Sequence, residues 1–233
     1  MNILLAAATP FEIGPILDYL SKHSNLSEHG TFNINKLNIT PFVHGVGSTL
    51  AATHLSHALG KGEFQLVIQA GVAGAYDISF NLGDVVQVTQ DGFLDVGVEE
   101  KNGDFTSIFE MGLIEPNQYP FTETWIKSEE DSLPTFLRKV NGGTVNTVHG
   151  STLSIEKTVA KYPELEIESM EGAAAAYACK VFKIPFIQIR AISNYVEPRN
   201  RENWELELAI NKLNEVLQGM FETLAGLEET EKG

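Results

Sequence analysis

Glu171 stands at the mouth of a helix built almost wholly of small residues, in the run Ser169-Met170-Glu171-Gly172-Ala173-Ala174-Ala175-Ala176. Alanines at that density let a helix lie close to a sheet, and a carboxylate at its N-terminus is favoured by the helix dipole. Pro185-Phe186-Ile187-Gln188-Ile189 then reads as a short buried strand, β-branched and flanked by proline, with Arg190 and Asn194 at its far end. In open α/β sheets ligands bind at that edge. A second carboxylate, Glu12, follows the N-terminal apolar run directly, in Ala8-Thr9-Pro10-Phe11-Glu12. Two readings stay open on these residues alone. One is a capped packing helix, a first-turn glutamate and a solvated turn. The other is two carboxylates, a guanidinium and an amide gathered on one ligand.

The elements that must position these groups alternate in type. The N-terminal apolar run lacks the basic region of a signal peptide and reads as a first core strand. Residues 10 to about 22 read as a helix with Pro10 in its first turn. A strand pair follows near residues 31–34 and 39–43, and His44-Gly45-Val46-Gly47 turns into a helix through residue 58. Residues 66–69 and 85–88 read as buried strands, the first leading into a Gly-rich turn, Gln69-Ala70-Gly71-Val72-Ala73-Gly74. The alternation predicts an α/β, three-layer single domain over residues 1–227, a mixed central sheet flanked by helices, with a frayed acidic tail at 228–233. Residues 97–134 are the least regular and carry Phe105, Phe109, Tyr119, Phe121 and Trp125. Such a segment is either a binding loop or a surface excursion with some buried aromatics.

Composition narrows the chemistry. With 43% hydrophobic and 20% charged residues in 233, the chain has ample material for one core. A net charge of −15 repels phosphate backbones, so no nucleic-acid partner is expected. The single cysteine, Cys179, excludes an intrachain disulfide and a cysteine zinc cluster, and reads as a small buried apolar residue. His54 and His57 share a helix without an acidic neighbour to complete a triad, so no metal is expected. No run approaches the roughly 18 apolar residues of a membrane helix, which predicts no membrane partner and a cytoplasmic protein.

Met170-Glu171-Gly172-Ala173-Ala174 followed by Arg190-Ala191-Ile192-Ser193-Asn194 resembles the signature of the purine nucleoside phosphorylase/nucleosidase superfamily, and further blocks recur in order over most of the chain. More narrowly, the sequence resembles the branch that cleaves nucleosides with water and, within it, the futalosine hydrolases of a menaquinone pathway. The resemblance implies a small-molecule purine nucleoside as substrate, no cofactor, and a homodimer or higher homo-oligomer. Breaking an N-glycosidic bond requires an activated water, stabilisation of an oxocarbenium-like sugar, and help for the departing base. On the matching positions, Glu12 would activate water and Glu171 would accept hydrogen bonds from the ribose 2′- and 3′-hydroxyls. Met170 would lie against the sugar, and Arg190 would orient the water or hold a carboxylate. Val72, Ala73 and Gly74 would lie beside ribose and purine. Val148-His149-Gly150-Ser151-Thr152-Leu153 matches the loop covering the purine, with Leu153 and Ser154 as contacts and Leu153 where relatives often stack an aromatic ring. The irregular segment 97–134 would close over the 5′ side of the substrate, partly across a dimer interface.

The departures from the family pattern carry specific expectations. Asn194 stands where the adenosine-type nucleosidases have an aspartic acid that protonates N7, and an amide cannot act as a general acid. It can hydrogen-bond N7 and the O6 of a 6-oxopurine, although asparagine also reads an adenine edge. Asn194 together with Val196-Glu197-Pro198-Arg199-Asn200-Arg201 and Trp204 resembles the futalosine hydrolases. Arg199 and Arg201, two of only four arginines, are candidates for holding a carboxylate at the 5′ end of such a substrate, or are simply paired with Glu197, Glu202 or Glu205. His149 is a candidate for the missing acid, or a loop histidine with a structural hydrogen bond. The first arginine in the chain is Arg138, so neither Gly-rich turn has an arginine beside it to hold phosphate, which argues for water as nucleophile.

Overall fold

The computed structural model describes residues 1–128 and 136–226. The acidic tail and the end of the irregular segment, residues 129–134, lie outside them. Strand β1 (Asn2–Ala7), helix α1 (Pro10–His23), strands β2 (Asn25–Leu26), β3 (Phe32–Ile34) and β4 (Leu37–Val43), and helix α2 (Ser48–Leu59) form the first third. Strands β5 (Leu66–Ala75), β6 (Val85–Phe93), β7 (Gly97–Glu99), β8 (Phe105–Ser107), β9 (Ile126–Lys127) and β10 (Arg138–Thr144) follow. Helix α3 (Thr152–Lys161), β11 (Ile167–Ser169), α4 (Gly172–Phe182), β12 (Phe186–Tyr195), a short 3-10 turn (Arg201–Asn203) and α5 (Leu206–Ala225) complete the chain.

A mixed sheet in the order β11-β10-β6-β12-β5-β1-β4-β3-β2 separates two helical layers. The alternation of β1 sets this up. Ile3, Leu5 and Ala7 face one side, packed with Ile13, Ile16 and Leu20 of α1 and Leu213, Leu217 and Phe221 of α5. Leu4 and Ala6 face the other, against Leu55 and Leu59 of α2 and Ala173, Ala175 and Cys179 of α4. Each fully buried Leu, Ile or Phe contributes about 2 kcal/mol of transfer free energy. The alanine face of α4 does what small residues allow, letting the helix backbone approach the sheet.

One feature of the topology has no signature in the sequence. Strand β5 runs parallel to β1 over its first half, then pairs antiparallel with β11 through Ala75↔Ile167 and Gly74↔Glu168. Strands β5, β12, β6, β10 and β11 therefore close on themselves around a small core of Ala75, Phe80, Val86, Val88, Val140 and Ile192.

Two expectations need correction. The stretch 69–74 is not a turn but the continuation of β5, and Arg190 lies inside β12 rather than at its end. The reason is shared. Arg190 is in register with Gly71, and a Cβ on Gly71 would come within 2.3 Å of Arg190 Nη1 and 2.8 Å of Glu12 Oε1. Glycine is there to make room for a guanidinium, not to bend the chain.

Most of the aromatic segment turns inward. Phe121 and Trp125 are buried, and Phe109 packs edge-on to Phe121, which leans on Tyr177 of α4. Tyr119 is exposed, with its hydroxyl on the Lys180 carbonyl.

Candidate active site

Glu12 occupies the third position of α1, where a carboxylate can reach back to the cap. The Thr9 backbone N–H and hydroxyl donate to its Oε2 at 2.8 and 3.0 Å, and the Val72 N–H of β5 donates to Oε1 at 3.3 Å. The glutamate is thus both a helix cap and a link to the central strand, and it is 7% exposed. Asn214 of α5 holds the backbone behind it, donating to the Glu12 carbonyl at 2.8 Å and accepting from the Ile16 N–H at 2.9 Å.

Glu171 caps α4 from the opposite side. Its Oε1 accepts the Gly47 N–H at 3.0 Å, and its Oε2 lies 3.7 Å from Arg190 Nη1. Gly47 has φ +91°, so the turn that presents this amide requires glycine. Burial pushes the Glu171 carboxyl above its ordinary value, and the nearby Glu12 charge adds to this; Arg190 and the Gly47 amide pull the other way. Arg190 is 1% exposed, and its Nε and Nη2 donate to no atom among the described residues. A buried guanidinium with free donors between two carboxylates is set up to hold a small polar molecule. Below it, burial drives the enclosed His44 down to about 4, so that His44 stays neutral.

A fully buried polar group underpins this end. Asp91 accepts from the Thr144 hydroxyl at 2.8 Å and Gln188 Nε2 at 3.0 Å, while Thr144 Oγ1 accepts the Ala173 N–H of α4 at 2.7 Å. A Cβ on Gly172 would fall 2.0 Å from Asp91 Oδ2, so the first turn of α4 rests directly on this carboxyl. Burial raises Asp91 to about 6.

Asn194 lies three β5 residues along, in register with Gly74 and just past a slip of the β12 ladder at Ser193. Such a bulge re-aims the side chain that follows it. Asn194 Nδ2 donates to the Tyr195 carbonyl at 3.0 Å, and its Oδ1 accepts from Ser193 Oγ at 2.8 Å. A carbonyl can only accept, which fixes the amide orientation. The side chain therefore has one N–H to spare, and its oxygen keeps a second lone pair.

Asn194 lines a narrow cleft with Gly74, Val148, His149, Glu168, Arg199 and Trp204. Sequence reasoning missed Glu168. It is 4% exposed and accepts the His149 N–H at 2.9 Å, the Tyr76 hydroxyl at 2.6 Å and a short contact from His149 Nδ1. His149 Nε2 meets the Thr158 hydroxyl at 2.9 Å, so both ring nitrogens of this histidine are engaged within the protein. Wider clefts, of about 620, 440 and 630 Å³, run along α3 and the β7–β8 hairpin; none of Glu12, Glu171, Arg190 and Asn194 lines them, and of these four only Asn194 lines the narrow cleft. Their walls carry surface ion pairs such as Lys157–Asp104 and Lys161–Glu110.

The structure gathers Glu12, Arg190, Glu171 and Val72 at one end and Gly74 and Asn194 at the other. Met170 sits half-buried between Ser169 and Glu171, and Ala73 is buried in the strand. Ser154 lies in the capping turn of α3 on the wall of the wider cleft, and Leu153 beside it is 64% exposed. Arg199 and Arg201 are exposed, each stacked over Trp204, and of the two Arg199 lines the narrow cleft.

Comparison with known proteins gives the family. The phosphorylase superfamily matches residues 2–226. The 5'-methylthioadenosine/S-adenosylhomocysteine nucleosidase of Maridesulfovibrio salexigens is 30% identical over 84% of this chain and 87% of its own length. The enzyme of the same name from Glaesserella parasuis serovar 5 is 26% identical over 97% of this chain and 100% of its own. Among solved structures, the S-adenosylhomocysteine nucleosidase of Streptococcus pyogenes, in complex with 5-methylthiotubericidin, superposes with TM-score 0.77 at 18% identity, over 96% of this chain and 97% of the other. The native futalosine hydrolase of Helicobacter pylori superposes with TM-score 0.75 at 18% identity, over 96% and 98%. The chain belongs to the phosphorylase superfamily, among its nucleosidases, the N-glycosyl hydrolases.

Proposed function

We propose that the chain hydrolyses a 6-oxopurine nucleoside, futalosine by preference, releasing hypoxanthine and dehypoxanthinyl futalosine. Glu12 takes a proton from a water that Arg190 orients through its free donors, and that water attacks C1′ of the ribose. Glu171 holds the 2′- and 3′-hydroxyls and places negative charge by the developing oxocarbenium. From Gly71 to Gly74 along β5 is roughly 10 Å, about the reach from the sugar to the far edge of a base.

The observation that carries the choice of base is the orientation of Asn194. Its one spare N–H can donate to N7 and O6 of a 6-oxopurine, two neighbouring acceptors. Adenine offers that donor one acceptor, N7, where a 6-oxopurine offers two. Water rather than phosphate as nucleophile is supported at the sugar end, where the Gly47 amide is spent on Glu171 and no arginine other than the buried Arg190 is at hand. Arg199 and Arg201 are the groups we assign to an acidic 5′ substituent. A homodimer belongs to the same reading, supported by the exposed apolar side chains Leu50, Leu113, Tyr119, Tyr177, Val181 and Phe182.

The names of the curated relatives favour a second reading, an adenine nucleosidase. Futalosine, inosine and methylthioadenosine incubated side by side without phosphate separate the two. Hypoxanthine from futalosine is the expected product; adenine from methylthioadenosine at a comparable rate would overturn the choice of base.

A further inference from the structure

We propose that Thr144 is a positioning residue for Glu171: by capping α4 in its place, Thr144 frees the Glu171 carboxylate for the site. Glu171 stands at the cap position of α4, where a side-chain oxygen ordinarily accepts from the second or third amide of the helix. Its carboxylate makes no such bond. It turns instead to the Gly47 N–H at 3.0 Å and toward Arg190 Nη1 at 3.7 Å. The second amide of α4, Ala173 N–H, is taken by Thr144 Oγ1 at 2.7 Å, from the end of β10. Glu12 shows the other arrangement: it serves its own helix start, and its Oε2 is occupied by the Thr9 N–H and hydroxyl.

The substitute cap is prearranged. Thr144 is fully buried and its backbone is tied on both sides: its carbonyl accepts the Leu94 N–H at 3.0 Å, and it is in register with Ser169 of β11, just ahead of Glu171 in the chain. Because its hydroxyl oxygen accepts from Ala173, its own proton must go elsewhere, and Asp91 Oδ1 lies 2.8 Å away to receive it. Gln188 Nε2 donates to the other oxygen of Asp91 at 3.0 Å. An ionised carboxylate only accepts, so the Thr144 hydroxyl cannot turn its proton toward the helix without leaving Asp91. The rotor is thus set before a ligand arrives. Without that hydroxyl, the usual acceptor for Ala173 N–H is the side chain of the cap residue, Glu171. The carboxylate would then swing back to its own helix and withdraw from Gly47 and from the ribose hydroxyls.

The functional consequence rests on the assignment of Glu171 to the ribose hydroxyls, and two readouts separate the two claims. Thr144→Val keeps the shape of the side chain and removes the acceptor, whereas Thr144→Ser keeps the acceptor. In Thr144→Val, amide hydrogen exchange at Gly47, whose acceptor is Glu171, is expected to speed up about tenfold relative to amides of α5, and in Thr144→Ser to match the parent. The ratio of kcat/KM for inosine to that for 2′-deoxyinosine is expected to fall about tenfold in Thr144→Val and to be kept in Thr144→Ser. If Thr144→Val does not fold, Thr144→Cys, a weaker acceptor, carries both readouts with changes of about threefold. Parental exchange at Gly47 in a folded Thr144→Val or Thr144→Cys would overturn the positioning role. Faster exchange at Gly47 with an unchanged ratio would keep that role and remove Glu171 from the ribose. Faster exchange in a protein that releases base from neither nucleoside would keep it and sink the proposed reaction.

Discussion

The two ends of the site are built differently. At the sugar end backbone amides hold both carboxylates, Glu12 through its own helix cap and Val72 and Glu171 through Gly47, while Arg190 fills the space left at Gly71. At the base end the groups come from a strand bulge, strand β11 and a loop, and side chains such as Tyr76, His149 and Ser193 help to hold them. The difference teaches where chemistry and where choice reside. Attack on C1′ needs one geometry for any ribosyl substrate, so rigid elements supply it. Recognition of the base depends on which donors and acceptors face it, and these can change without rebuilding the sheet.

Substitutions at the two ends should accordingly fail in different ways. Glu12→Gln is expected to lower kcat by about a thousandfold, as for loss of a general base, while ligand affinity is largely kept; isothermal titration beside steady-state rates would show both. A variant with near-normal kcat would place the base elsewhere. Gly71→Ala keeps every functional group yet pushes Arg190 and Glu12 apart, and a loss of about a hundredfold in kcat is expected. If its rate equals that of the parent, the tight approach at Gly71 has no catalytic meaning.

Changes at the base end are expected to shift preference more than rate. Asn194→Asp supplies an acid and an acceptor where the parent has a donor, and should raise kcat/KM for methylthioadenosine relative to inosine by about tenfold. An unchanged ratio would remove Asn194 from base recognition. A further effect, on stability rather than rate, concerns Asp91, whose native value of about 6 lies above that of an unfolded carboxylate. The folded state therefore binds the proton more tightly, and this contribution is full at low pH and lost as pH rises through about 6. Chemical denaturation of the parent and Asp91→Asn between pH 4 and 7 should show the parent losing up to about 3 kcal/mol relative to the variant as pH rises. A pH-independent difference would mean that Asp91 does not titrate in this range. The raised Glu171 predicts, separately, an acid limb of kcat/KM above the ordinary carboxylate range, because the group we assign to the ribose hydroxyls must be ionised.

Much of the sugar end was legible in the sequence because its signals are local. A glutamate three residues after a threonine at a strand exit, and another before four alanines, each mark a helix start within a few residues. The glycines of β5 misled because glycine usually weakens a strand; here their purpose depends on Arg190, more than a hundred residues away. Glu168 was illegible for a similar reason. In Glu164-Leu165-Glu166-Ile167-Glu168 the acids alternate with apolar residues like the solvent face of an edge strand, and Glu166 does meet Arg138 at the surface. Only the antiparallel pairing of β11 with β5 buries Glu168, and nothing local announces that closure.

The most direct test is the fate of the nucleophile. The purified protein would be incubated with futalosine or inosine in oxygen-18 water without phosphate, and the sugar product examined by mass spectrometry before its anomeric oxygen exchanges. Label on C1′ of the sugar together with free hypoxanthine is the expected result. Base release that requires phosphate and leaves a sugar 1-phosphate would contradict hydrolysis through Glu12.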